Sequence, residues 1–211
     1  MNDFKISRAA FSDFFWERIG YGQPLGADQE AVCQALYHQA DYQTGSLTEH
    51  DVRDVSALAS AFDPAAVCEV GTFVGRSTYA LANGMTFGTI WTCDSSNALD
   101  LPSLNDAVII RQFQKTNSTD MFGKAMAERQ KFDFFYIDGR LTQRDAELMG
   151  ECMDNRSIIV LDDFEGIEKG VANASLLLNT VAAGCTLVYP KPGRKTAVLL
   201  PFTRIRFVPQ A

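Results

Sequence analysis

From residue 65 onward the chain alternates short apolar runs with amphipathic stretches, and nothing else in it limits the fold as strongly. The runs are Ala66–Val70, Thr89–Cys93, Val108–Phe113, Phe132–Ile137, Ser157–Leu161, Cys185–Tyr189 and Ala197–Phe202. Short apolar runs bounded by turn residues read as buried strands. Between the first five lie Ser77–Asn83, Ala98–Asn105, Asp120–Arg129 and Gln143–Met153, each long enough for a crossover helix, and Lys169–Ala183 is a further helix after the fifth. Strand and helix in alternation predict a parallel sheet covered on both faces, that is, a doubly wound, Rossmann-like α/β domain. The last two runs differ, because only Pro190-Lys191-Pro192-Gly193-Arg194-Lys195 joins them. So short a connection cannot cross over, and these two are predicted to close a seven-stranded sheet as an antiparallel hairpin.

Residues 1–64 read as an N-terminal helical extension and residues 65–211 as the α/β domain. Phe4–Ile19 carries Phe11, Phe14, Phe15 and Ile19 at helical spacing before Gly20 and Gly22 break it. Asp28–Tyr42 repeats the pattern with Val32, Ala35, Leu36 and Gln39, and Gly45 marks its end. Thr48 is a good N-cap for a third helix, with Asp51 in its first turn and Val55, Leu58 and Ala59 facing inward, and Asp63-Pro64 stops it. The aromatic cluster Phe11, Phe14, Phe15 and Trp16 packs onto the domain or onto a second subunit, or else forms a lid over a substrate. Aromatics this dense favour an interface, so a homodimer is expected.

A net charge of −7, from 19 basic and 26 acidic residues, opposes a nucleic-acid partner, and there is no basic stripe. The densest basic stretch, Lys191–Lys195, reads as a turn. No apolar run approaches the ~20 residues of a membrane span, and Met1–Lys5 lacks the start of a signal peptide. Five cysteines without a C-x-x-C pair suggest neither a disulfide framework nor a zinc site, so a cytoplasmic protein is expected.

The segment Val67-Cys68-Glu69-Val70-Gly71-Thr72-Phe73-Val74-Gly75-Arg76-Ser77 is a strand ending in an acid, then a glycine loop that opens onto a helix. Gly71 permits a sharp turn close to a ligand, and Gly75 permits close packing where the helix starts. The helix N-terminus then offers unpaired N–H groups to a carboxylate, with the Ser77 hydroxyl beside them. Phe73 stands where a dinucleotide fingerprint would need a glycine to admit a pyrophosphate. The next strand ends in Asp94, where doubly wound folds hold a ribose; the alternative is a turn or helix-capping aspartate.

Glu69-x-Gly71-x-x-x-Gly75, then Asp94, then a terminal antiparallel hairpin, resembles the class I S-adenosylmethionine-dependent methyltransferases. The resemblance spans roughly residues 45–202. It implies S-adenosyl-L-methionine as cofactor. Gly71 and Gly75, with Thr72 and Phe73, would line its methionine part, Glu69 would hold its ammonium and Ser77 its carboxylate. Asp94 with Ser95 would hold the ribose, Asn117 and Ser118 would face the adenine, and Asp138 would also border the cofactor.

Two further strands end in acids: Phe132-Asp133-Phe134-Phe135-Tyr136-Ile137-Asp138-Gly139, and Ile158–Leu161 followed by Asp162 and Asp163. Strand tips face the ligand crevice of a parallel sheet, so three carboxylates are expected to gather there. Mutual repulsion would raise at least one pKa or recruit a cation. F-D-x-x-x-I-D-G with a later I-V-L-D-D-F is similar to O-methyltransferases acting on small molecules, including catechol-type and natural-product sugar O-methyltransferases. That resemblance implies Mg²⁺ on Asp138, Asp162 and Asp163, activating a substrate hydroxyl. The alternative is that Asp162 caps a turn and Asp138 pairs with Arg140. Where such enzymes carry an acidic residue, a His or a nearby Lys after I-D-G, this chain has Arg140 and Leu141. Arginine cannot serve as a base, so Arg140 is expected to neutralise Asp138 or Asp163 or to hold an anionic substrate, with Asp138 and Arg140 as the catalytic pair. His38 and His50, in the helical part, carry no such role.

The activity expected is methyl transfer to a hydroxyl of a small-molecule substrate. The rivals are an N-methyltransferase that binds an amine with the same aspartates and no metal, and a non-catalytic cofactor-binding protein on this fold.

Overall fold

The computed structural model describes residues 8–19, 27–38, 47–96, 101, 105–165, 167 and 169–205. Strand β1 (Ala66–Val70) lies near the middle of one seven-stranded sheet. With β2 (Gly88–Asp94), β3 (Val108–Gln114), β4 (Phe134–Ile137), β5 (Ile158–Leu161), β6 (Cys185–Val188) and β7 (Ala197–Pro201), the order is β3-β2-β1-β4-β5-β7-β6. Strands β1 to β5 run parallel, whereas β7 is antiparallel to both β5 and β6. The direction reverses between β1 and β4, and there the crevice of a doubly wound sheet opens.

Period-two alternation sends the strand side chains into two cores. Val67, Phe134, Tyr136, Ile158 and Val160 face one side, with helices α3 (Glu49–Phe62) and α4 (Arg76–Gly84). Cys68, Val70, Phe135, Ile137, Ile159 and Leu161 face the other, with α5 (Ser118–Ala127), α6 (Gln143–Cys152) and α7 (Lys169–Leu178). Burial on both faces explains why these strands read as continuous apolar runs.

The third N-terminal helix starts as expected: Thr48 caps α3 in a reciprocal box with Asp51, and Asp63 closes it in the left-handed region at φ 41°. Before it stand α1 (Arg8–Ile19) and α2 (Ala27–Tyr37). The breakers Gly20, Gly22 and Gly45 lie outside the described residues, as does most of the expected helix Ala98–Asn105. Phe15 and Trp16 are buried within the chain, where Trp16 Nε1 donates to the Tyr189 carbonyl at 2.8 Å and the Tyr189 N–H donates to Ser12 Oγ at 3.0 Å. Phe14 is 54% exposed. Among the described residues, no helix is long and apolar enough to cross a membrane.

Candidate active site

The glycine loop leaves β1 by a turn that only its backbone permits. Gly71 has φ 103°, and a Cβ there would stand 3.0 Å from the Asp138 carbonyl oxygen. The Gly71 and Thr72 amides both donate to the Cys93 carbonyl, at 2.9 and 3.1 Å, which ties the loop to the end of β2. Phe73 sits at φ 43°, a region sparsely populated by residues with a Cβ and characteristic of binding loops. Its amide donates to Asp94 Oδ2 at 2.7 Å, while the Ser96 amide donates to Asp94 Oδ1 at 2.8 Å. Asp94 therefore orders the loop with part of its accepting capacity and keeps the rest for a ligand. Gly75, at φ 83°, is the N-cap of α4 and supplies no capping side chain.

Glu69 is fully buried beneath this loop. Burial pushes its carboxyl up to about 7, partly offset by the hydroxyls of Ser77, Thr78 and Thr92. Thr78 Oγ1 donates to Oε2 at 2.5 Å, whereas Oε1 meets no donor at hydrogen-bond distance. A buried carboxyl oxygen without a donor is rare in folded proteins.

Beside the loop opens a cleft of about 270 Å³ lined by Val70, Gly71, Cys93, Asp94, Ser95, Thr116, Asn117, Ser118, Asp138, Gly139 and Arg140. A smaller recess lies between Leu47, the loop residues Gly71–Val74, Arg76, Ser77 and Asp138. Asn117 caps α5 by accepting from the Asp120 amide at 2.8 Å. Ser118 and Thr119 donate to Asp145 Oδ1 at 3.1 and 2.6 Å. Of the sequence-predicted cofactor residues, Gly71, Asp94, Ser95, Asn117, Ser118 and Asp138 line the cleft, Thr72, Phe73 and Ser77 line the recess, and Glu69 and Gly75 line neither.

The aspartates at the tips of β4 and β5 are also neighbours, but a residue outside the sequence expectations joins them. Lys169 Nζ lies 2.9 Å from Asp138 Oδ1 and 2.7 Å from Asp163 Oδ2. Burial opposes the charge on Lys169, yet its bonds to Asp163 and Asp138 hold its pKa above the usual lysine range. Asp163 adopts φ 49°, and Lys195 approaches its other oxygen at 3.9 Å. Asp162 is 4% exposed, its Oδ1 has no partner, and burial with the Asp138 and Asp163 charges pushes it up to about 7. Burial likewise raises Asp138 to about 6, against the lowering effect of Lys169.

The repulsion expected of three clustered carboxylates is therefore present, and an ammonium answers it. The expected Mg²⁺ does not fit these residues: among those described, no group of three carboxylate, histidine or cysteine side chains is arranged to hold a metal. Two of the three aspartates are instead spent on Lys169. The alternative pairing of Asp138 with Arg140 is likewise replaced by Lys169, and Arg140 is exposed at the lip of the cleft. Asn173, one turn beyond Lys169, donates to the Gly139 carbonyl at 2.7 Å and accepts from the Leu141 amide at 3.0 Å. The loop that carries Arg140 is fixed from α7. The available signal was Lys169-Gly170 at the start of a helix just after an acidic strand tip.

No protein-family model matches the sequence, and no curated protein does. Solved structures are similar over most of the chain. An O-methyltransferase from Bacillus cereus in complex with SAH (S-adenosylhomocysteine) has a TM-score of 0.60 at 17% identity, covering 84% of this chain and 92% of its own. An SAH-bound methyltransferase from Podospora anserina has a TM-score of 0.57 at 12% identity, covering 95% and 98%. The O-methyltransferase TomG from Streptomyces achromogenes, involved in tomaymycin synthesis and in complex with SAM, has a TM-score of 0.56 at 12% identity, covering 95% and 100%. The chain has the class I methyltransferase fold that these proteins display.

Proposed function

We propose that this chain is an S-adenosylmethionine-dependent methyltransferase whose acceptor is a hydroxyl of a small molecule. The observation that carries this reading is the carboxylate of Glu69, buried with one oxygen lacking a donor beneath the glycine loop, next in the chain to Val70 and Gly71, which border the cleft with Asp94. This donor set fits the cofactor. Glu69 would take its ammonium, the open amides at the start of α4 its carboxylate, Asp94 and Ser95 its ribose, and Asn117 with Ser118 its adenine. When bound, the cofactor would supply an electrophilic methyl on sulfur for transfer to the acceptor oxygen. Asp138, shared by the cleft and the recess beside Phe73, marks the acceptor end. A hydroxyl is favoured over an amine because Asp138 and Asp163 already hold one ammonium, that of Lys169.

Residues 1–64 are proposed as an extension of the methyltransferase domain. Among the described aromatics of the α1 cluster, Phe14 is exposed while Phe15 and Trp16 are buried within the chain, so Phe14 is the one proposed for a homodimer contact; light scattering at micromolar concentration measures the mass directly. The cofactor assignment is tested by calorimetry. SAH should bind with 1:1 stoichiometry and NAD should not; binding of NAD alone would refute the methyltransferase reading. Labelled S-adenosylmethionine with a panel of hydroxylated and amino compounds tests the acceptor, since transfer to nitrogen, or to nothing, contradicts the choice of oxygen.

A further inference from the structure

We infer that Lys169 is the resident cation of the acceptor end, a tethered ammonium standing where the sequence assigns a divalent ion, so that the wild-type site takes up no divalent metal. This rests on the methyltransferase reading for its place in catalysis, but its geometry does not. The ammonium bridges Asp138 and Asp163 at 2.9 and 2.7 Å, ordinary distances for charge-assisted hydrogen bonds. A magnesium ion would need those same oxygens at ~2.1 Å, and the nitrogen that already holds them would sit against the ion with like charge. Metal and ammonium are mutually exclusive occupants.

The backbone is built to bring the lysine there. Gly170, the next residue, lies so close to the tip of β5 that a Cβ would stand 2.5 Å from the Asp162 carbonyl oxygen and 2.8 Å from the Phe164 nitrogen. Only a glycine lets α7 begin against that strand end, and this close start delivers Lys169 between the two carboxylates. One turn later Asn173 pins Gly139 and Leu141, so the helix that carries the cation also fixes the loop after Asp138. Lys195, from the β6–β7 connection, adds a second positive charge 3.9 Å from Asp163 while bonded to Glu165 at 2.7 Å. Two lysines converge on the carboxylates that a metal would need bare. For an acceptor hydroxyl, the ammonium offers a donor and a positive charge, the electrostatic part of what a metal supplies.

Mn²⁺ is the probe, followed by electron paramagnetic resonance on the full-length protein with SAH present. Wild type should show no saturable uptake of Mn²⁺ up to millimolar concentration. Lys169→Ala should gain a single site, because two carboxylates lose their cation beside Asp162, and Lys169→Ala/Asp163→Asn should lose it again. Lys169→Met, which keeps the stem and removes the charge, controls for packing. Stoichiometric Mn²⁺ binding by wild type that Asp138→Asn abolishes would overturn the inference. So would a Lys169→Ala protein that still binds SAH yet takes up no Mn²⁺. Failure of SAH to bind the wild type refutes the methyltransferase reading instead and leaves the metal result to be read on its own.

Discussion

On the proposed cofactor reading, Glu69 ties stability to binding. Its carboxyl is raised to about 7 from an ordinary 4.5, so the folded protein holds a proton that the unfolded chain gives up. The stabilising contribution of that proton is complete below pH 4.5 and is lost as pH rises to about 7, a change on the order of 3 kcal/mol. Asp138 and Asp162, raised to about 6 and 7, act in the same direction over the same range. The apoprotein should therefore melt at lower temperature at pH 7.5 than at pH 5.5, and Glu69→Gln should flatten part of that slope. An ammonium ligand favours the ionised form, so SAH affinity should fall as pH drops below 7 in the wild type and stay flat in Glu69→Gln. A Glu69→Gln protein with wild-type affinity and pH dependence would remove Glu69 from the cofactor site. The positions of Glu69, Gly71, Gly75 and Asp94 beside strand ends were legible, because a strand end can be read from a run of apolar residues. Lys169 was not. Its role depends on how closely α7 approaches the tip of β5, a distance no local pattern encodes.

At the scale of elements, the crevice is held together by side chains that never face it. Asp145 is buried and joins two helices. Through Oδ2 it completes the cap of α6 with the Thr142 amide and hydroxyl, both at 2.7 Å, and through Oδ1 it accepts from Ser118 and Thr119 at the start of α5. Removing it strands several donors at once, so Asp145→Ala should cost roughly 3 kcal/mol and lower the melting temperature by about 6–12 °C. SAH binding should weaken several-fold as well, since Ser118 borders the cleft; a destabilised variant with unchanged SAH affinity would mean that Asp145 only caps α6. The sequence made the helices and their order readable, and the terminal hairpin followed from the shortness of one connection. The pairing of α5 with α6 through a single carboxylate was hidden, because Thr142-x-x-Asp145 reads only as a local cap. The same limit applied to the aspartates at the strand tips, whose gathering could be foreseen while their neutralisation by a lysine 31 residues from Asp138 could not.

Across the whole molecule, the N-terminal helices and the C-terminal hairpin are clasped by a buried ion cluster. The basic stretch between β6 and β7, legible only as a turn, sends one lysine inward: Lys191 is 7% exposed, lies 3.4 Å from Asp54 on α3, and sits over the Trp16 ring at 5.0 Å from its centroid. Arg194 reaches the other oxygen of Asp54 at 3.5 Å. Burial lowers the pKa of Lys191 despite the Asp54 carboxylate beside it, so the pair is held against a desolvation cost. Removing one partner of such a pair leaves an uncompensated charge, which typically costs about 3–5 kcal/mol, whereas replacing both with apolar groups is often near neutral. Urea denaturation should therefore find Asp54→Ala strongly destabilised and Asp54→Ala/Lys191→Met recovering much of the loss, even though the double variant lacks more native contacts. If the double variant is the less stable of the two, the ion pair contributes net stability and the clasp is more than a compensated burial. Asp54, Lys191 and Arg194 line neither the cleft nor the recess, so SAH affinity measured below the unfolding transition should be unchanged in both variants.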